Sequence, residues 1–173
     1  MLRRELLAGM GALALAGCEQ TASGSGISGG GRRVVAASEL SDRSAVRFRH
    51  LDSVNAIRAQ RGLPQLAFSQ ALNSAAVTHA RDMALQQRAW HFGTDRSNPQ
   101  TRAVRAGYGG LVLGENIAET FDGDLATLQD WLDETGASAT MLNPAATSIG
   151  LGWFRQENGK LWWVQMIGGP ERS

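Results

Sequence analysis

Cysteine is almost absent from this chain. Among 173 residues there is one, Cys18, and none follows it. A disulfide within the folded part is therefore excluded, and its core alone must hold it together. The same absence removes a thiol nucleophile. An excess of charge of one sign is also lacking: 17 basic residues stand against 16 acidic ones. Without Arg3, Arg4 and Glu5 of the N-terminal segment the two signs are equal. No basic run interleaved with aromatics occurs, so no nucleic-acid partner is expected. Long hydrophobic runs are missing as well. The apolar stretch over residues 6–17 falls short of the about 20 residues that a membrane-spanning helix needs. There is no internal repeat. Gly107-Tyr108-Gly109-Gly110 is not a phosphate loop, because it lacks the lysine and the docking helix.

What is present begins with the N-terminus. Arg3 and Arg4 precede the apolar stretch, which ends in Leu15-Ala16-Gly17-Cys18. Residues 1–17 thereby resemble a bacterial lipoprotein signal peptide. The resemblance implies that Cys18 becomes an acylated N-terminus and anchors the protein to a membrane, with two or more chains for stable anchoring. Arg3-Arg4-Glu5-Leu6-Leu7 also partly resembles a twin-arginine signal, with Leu2 where Ser or Thr is usual. Glu19 in place of Asp after the cysteine favours an outer membrane in a cell with two. Residues 18–40 are the lipidated cysteine and a linker rich in Gly and Ser, a flexible tether. Residues 41–173 are the size of one domain with one core. The expected location is the cell envelope, facing away from the cytoplasm.

Along the domain, Ser41 or Asp42 can cap a first helix. Phe48, Leu51, Val54 and Ile57 recur there at helical spacing, and Gly62 and Pro64 end it. Ser69 can cap a second helix with the stripe Leu72, Ala76, His79, Ala80 and Met83. A loop over residues 90–99 leads to a short helix over 100–106. Residues 111–117 read as a strand. Asp122 or Asp124 can cap a helix carrying Leu125, Leu128, Trp131 and Leu132. The chain ends in a hairpin: Ile149, Leu151 and Trp153 alternate, Asn158-Gly159 turns, and residues 161–167 return. The returning strand is apolar on both faces apart from Gln165, so it is expected between two layers. The class is α+β. Of five tryptophans, at least three fall on core faces, leaving one or two for a cleft rim.

Two residues stand out chemically. His91, in Trp90-His91-Phe92-Gly93, follows the second helix. Glu115, in Gly114-Glu115-Asn116-Ile117-Ala118, sits in an apolar strand, where a carboxylate is costly unless paired or hydrogen-bonded. Such a pair can bind a divalent metal or move a proton, or it can be structural. His79 lies on an apolar stripe. That position suits a core histidine bonded to backbone or a polar neighbour, or one facing a cleft shared with His91. His50, beside Arg49, is given no role. Ser138 and Ser148 have no base and orienting acid at a telling spacing.

The motifs together resemble the bacterial branch of the CAP superfamily, the SCP/PR-1-like domains. The likeness rests on His79-Ala80-Arg81-Asp82-Met83, Trp90-His91 with Gly93, and Arg105-Ala106-Gly107-Tyr108. Gly114-Glu115-Asn116-Ile117-Ala118, Trp131, Met141-Leu142-Asn143-Pro144 and Ile149-Gly150-Leu151-Gly152 follow in order. The resemblance implies a three-layer α-β-α sandwich. It also implies a central cleft of two histidines and one or two glutamates, which holds zinc or another divalent cation in some members. Others bind sterols or fatty acids in grooves. By match, His91 is the first family histidine and Glu115 the first glutamate. Trp131-Leu132-Asp133-Glu134 resembles a Trp-x-x-Glu of eukaryotic members, which makes Glu134 the second glutamate. Gly136-Ala137-Ser138 stands for a Gly-His-Arg, so Ala137 replaces the second histidine and Ser138 the arginine. His91, Glu115 and Glu134, with His79 as a substitute, would give an oxygen-rich, weakly bound cation site. The function expected is non-enzymatic binding of a small apolar or lipid ligand, or of an envelope partner, at the cleft or a groove beside it. The alternative is a divalent-metal-dependent hydrolase with a degenerate His/Glu cleft.

Overall fold

The structure, a computed structural model, describes residues 34–171. The signal-like segment, Cys18 and the glycine-rich stretch after it lie outside the described residues. The folded domain includes residues before Ser41. Val35 N–H bonds to Phe121 O, a 3-10 turn covers Ala37–Leu40, and Val35 and Leu40 are buried in the core.

Five α-helices and four strands follow. Helix α1 (Arg43–Gln60) starts where Asp42 accepts from the backbone of Ser44 and Ala45, and ends before Gly62 at φ 67°. Strand β1 (Ala67–Phe68) is short. Helix α2 (Gln70–Gln86) is capped by Ser69 as expected. Helix α3 (Pro99–Arg105) has Asn98 as cap and proline in its first turn. Strand β2 (Gly110–Thr120) precedes α4 (Asp124–Asp133) and α5 (Thr135–Met141). The hairpin is β3 (Ser148–Arg155) and β4 (Leu161–Glu171). The sheet order is β1-β3-β4-β2. The first pair is parallel and the others antiparallel, so β2 forms an edge. Among the described residues, no helix is long and apolar enough to cross a membrane.

Strand β4 divides two cores. Leu161, Trp163 and Ile167 face Val54, Leu128, Trp131 and Met141, while Trp162, Val164 and Met166 face Leu72, Ala76, Ala80 and Met83. Helix α2 lies on one face and α1, α4 and α5 on the other. This is the expected three-layer α-β-α sandwich, with the period of two along β4 serving both layers. Four tryptophans are buried: Trp131, Trp153, Trp162 and Trp163.

Strand β3 alternates for a second reason. Ile149, Leu151 and Trp153 enter one core, and Gly150 and Gly152 face α2. A Cβ on Gly150 would meet the backbone of Leu72 and Asn73, and one on Gly152 that of Ala76 and Val77, well inside van der Waals contact. The helix backbone therefore rests directly on the strand. Gly152→Ala is expected to lose about 1–3 kcal/mol by overpacking, read as a lower urea midpoint. An unchanged midpoint would mean that the helix does not sit there.

Several sequence expectations change. The buried face of α1 is Val46, His50, Val54 and Arg58, at every fourth residue, whereas Phe48 is 52% exposed. Arg58 enters the core because its guanidinium donates to Pro64 O, Met141 O and Asn143 O and so ties α1 to the turn after α5. Gly123, rather than either aspartate, caps α4. Helix α5 and strand β1 were not expected. Their sequences, Thr-Gly-Ala-Ser-Ala-Thr-Met and Ala-Phe, carry weak propensity, and packing decides them.

Candidate functional site

Helix α2 delivers His91. It ends at Gln87 in the left-handed conformation, φ 51°. Trp90 then folds back, with Nε1 donating to Gln86 Oε1 at 2.6 Å, the Trp90 ring covered by Arg88 at 4.2 Å. The next turn is tied down by Asp82, which accepts from Thr94 N and Oγ1, and by Gly93 N–H bonding to Ser97 O. A Cβ on Gly93 would strike Asp95 and Ser97, so glycine keeps this turn tight beside the histidine.

Glu115 lies in the middle of β2, its side chain 1% exposed and turned toward α2 and α3. Three side chains meet it. His91 Nδ1 is 2.9 Å from Oε1, Arg102 Nη2 is 2.7 Å from Oε2, and His79 Nε2 is 3.8 Å from Oε1. Arg102 comes from α3 and spends Nη1 on His91 O at 3.1 Å and Ser97 O at 2.8 Å. One guanidinium thus fixes the carboxylate, the backbone that carries His91, and the turn after it. A charge-assisted bond of this kind is strong where water is excluded.

The protons can be placed. Trp90 O is 2.8 Å from His79 Nε2, and a carbonyl only accepts, so Nε2 carries the proton and Nδ1 a lone pair. His79 is fully buried, and burial pulls its pKa below the usual histidine value, although Glu115 opposes this. It is a neutral core histidine beside the carboxylate. The same logic puts a proton on His91 Nδ1, donated to Glu115, and leaves Nε2 on a side chain 52% exposed. The arrangement can orient an imidazole and present one nitrogen outward.

The comparisons with known proteins follow the same outline. The profile of CAP, the cysteine-rich secretory protein family, matches residues 51–167. This chain belongs to the CAP family. It is 28% identical to YkwD of Bacillus subtilis over 125 residues, 72% of this chain and 48% of that protein. An extracellular protein of Bacillus anthracis containing an SCP domain superposes with a TM-score of 0.69 at 25% identity, over 79% of this chain and 44% of that one. An outer surface protein of Borrelia burgdorferi has a TM-score of 0.67 at 14% identity, over 76% and 96% of the two chains, a likeness of fold. The chain spans less than half the length of YkwD and of the Bacillus anthracis protein.

Within this CAP domain Glu134 and Ala137 belong to the α4–α5 segment. Glu134 is exposed at the junction of α4 and α5. Ala137, on the buried face of α5, enters the core, and its carbonyl accepts from Asn116 Nδ2 at 3.0 Å. Adjacent strand residues point to opposite faces, so Asn116 looks into the α1–α4–α5 layer and Glu115 into the α2–α3 layer. Among the described residues, no three His, Cys, Asp or Glu side chains are arranged to hold a metal ion. At Glu115 each oxygen already holds a proton donor, and the neighbouring charge is a guanidinium that repels a second cation. These residues as folded do not fit a divalent cation.

Sequence reasoning missed Arg102 and a second polar chain. The demand for a partner was legible in Glu115 itself. The short basic helix just before β2 offered Arg102 and Arg105, and only the fold decides between them. On the other face, Asn116 Nδ2 also donates to Gln165 Oε1 at 3.0 Å, and Gln165 Nε2 is 2.7 Å from His50 Nε2. His50 is buried, and burial pulls its pKa down to about 4.

Proposed function

We propose that this is an envelope CAP-domain protein, lipid-anchored through Cys18, that binds rather than catalyses. Its ligand is a small apolar or lipid molecule, or an envelope partner, held at the groove beside His91. The observation that carries the reading is the bond from Arg102 to Glu115. It neutralises the carboxylate from inside the domain, so the His91–Glu115 pair acts as a brace for the loop. The loop carries exposed apolar surface. A cavity of about 410 Å3 is lined by Gln86, Trp90, Phe92, Gly93, Thr94 and Arg96. Trp90 and Phe92 stand edge to face at 5.7 Å, and Phe92 is 49% exposed. The two aromatic rings give the groove an apolar wall, which suits an apolar ligand. The location is supported by relatives described as extracellular or as outer-surface proteins.

The test uses the full chain expressed with its N-terminal segment. Cys18→Ser is expected to move the protein from the membrane fraction to the soluble one. Intact-protein mass spectrometry is expected to find lipid bound to the domain, and less of it with Phe92→Ala. A protein that carries no lipid, and takes none from vesicles, sinks the ligand reading. A stoichiometric divalent ion lost on His91→Ala, together with ester or peptide hydrolysis, would reinstate the hydrolase.

A further inference from the structure

Leu85, on the last turn of α2, is 82% exposed, the most of any large apolar side chain among the described residues. A lone exposed leucine is ordinary, but this one adjoins the aromatic groove. Its neighbour Gln86 donates to Phe92 O at 3.2 Å and accepts from Trp90 Nε1, so the helix end and the loop share one surface. Three arginines frame it. Arg81 stands one turn before Leu85 on the same side of α2. Arg88 lies over the Trp90 ring, and Arg96 lines the groove. All three are exposed, and among the described residues none has a carboxylate within ion-pair distance. The acids of this segment are engaged elsewhere: Asp82 by Thr94 and Gln86, Asp95 by Ser97 and Arg105.

We infer that this surface docks the domain on an anionic phospholipid bilayer, with Leu85 and Phe92 at the boundary of headgroups and acyl chains and Arg81, Arg88 and Arg96 on the phosphates. Its chemistry complements that partner in both respects. A guanidinium meets a phosphate through two parallel N–H bonds, and exposed leucine and aromatic side chains enter the boundary layer. These arginines break no ion pair of the domain to do so. A bilayer is favoured over an acidic protein because the anchor proposed at Cys18 keeps it near. Cys18 and Val34 are 16 residues apart, a span of at most about 55 Å. The inference deepens the ligand reading, on which it rests for its purpose: a groove opening onto the bilayer takes its lipid from there.

Vesicle sedimentation tests it, using residues 18–173 with Cys18→Ser. That chain keeps every described residue and lacks the signal-like segment and the acylation site. It is expected to bind vesicles of equimolar phosphatidylcholine and phosphatidylglycerol, not phosphatidylcholine alone, and to release them as salt rises. Arg88→Gln combined with Arg96→Gln is expected to weaken binding about 25-fold, roughly fivefold per arginine. Leu85→Ser is expected to weaken it about tenfold. Urea midpoints should hardly move, since the three side chains are exposed. Binding that is equal on both vesicles, absent from both, or unmoved by these variants overturns the inference. So does a chain that ignores vesicles but binds poly-glutamate through Arg88 and Arg96, which would make the partner an acidic protein. The ligand reading is judged apart: Leu85 does not line the groove, so lipid that still co-purifies with Leu85→Ser leaves that reading standing where docking fails.

Discussion

Replacing Glu115 by alanine is expected to destabilise the domain by about 3–5 kcal/mol, the usual result of removing one partner of a buried pair. The carboxylate is 1% exposed and Arg102 is 6% exposed. Without Glu115 the guanidinium keeps Ser97 O and His91 O but faces no negative charge. Whole domains are stable by about 5–15 kcal/mol, so the loss is a large fraction. Glu115→Gln keeps the shape, removes the charge and is expected to lose less. The combined Glu115→Leu, Arg102→Met variant is expected to recover most of the stability, because an apolar pair of similar volume avoids the desolvation of both ions. Urea unfolding of the wild type, Glu115→Leu, Arg102→Met and the double variant closes the cycle. Additivity within about 0.5 kcal/mol would mean that the pair is not coupled. The histidine provides the contrast. His91 is half exposed, and an exposed ion pair contributes about 0–1 kcal/mol, so His91→Ala is expected to be mild. That ordering, Arg102 far above His91, marks a brace for the loop; a bound cation would make His91 matter as much.

The layers of this domain could be read before the fold was known, because they follow from periodicity. Strand β4 is apolar on both faces, and both faces are buried. Ser69, Asp42 and the Asn158-Gly159 turn act locally, within a few residues, and are found where the sequence places them. Helix α1 shows where that logic fails. Its largest apolar side chain, Phe48, faces outward, and its buried face includes His50 and Arg58. A hydrophobic stripe cannot reveal these two. Their partners are distant in sequence: His50 Nε2 meets an amide more than a hundred residues away, and two of the three shorter Arg58 bonds reach more than eighty. The site divides in the same way. His91 and Glu115 were recognisable from their motifs and meet at 2.9 Å. Arg102 was not, because any arginine of the short helix before β2 could answer a buried carboxylate, and the rotation of α3 selects one. Asn116 escaped notice for a simpler reason: it stands beside Glu115 in sequence but serves the opposite face of the sheet.

Acid is expected to weaken this domain between about pH 6.5 and pH 4 through a buried histidine, His50. Its partners leave it no room to protonate. Ala137 O is a carbonyl and cannot become a donor, so it fixes the amide of Asn116. Asn116 Nδ2 also donates to Gln165 Oε1, which turns Gln165 Nε2 toward His50 Nε2 at 2.7 Å. An amide N–H only donates, so His50 Nε2 must accept, and the ring is neutral. Protonation would set two donors against each other in a space closed by Trp131, whose ring stands edge-on to the imidazole at 6.2 Å. Burial is the main cause of the lowered pKa, with Arg49 adding to it and Asp124 opposing. The sign follows. The unfolded chain takes up a proton at the ordinary histidine value of 6.5, and the folded one refuses it until about pH 4. In that window the unfolded state binds more protons, so stability falls as pH falls. Above it the contribution of His50 is fully present; below it the loss is complete, at roughly 3 kcal/mol for a shift of this size. His79 is also lowered by burial and adds a slope of the same sign. Every other titrating group is common to both proteins, so the comparison must be a difference. His50→Gln keeps a polar group facing Gln165 and removes the titration. The wild type is expected to lose more urea stability than this variant between pH 7 and pH 4, with His79 supplying the slope that remains. Equal slopes, or a His50 ring seen by NMR to titrate near its ordinary value, would show that the amide chain does not hold the ring neutral.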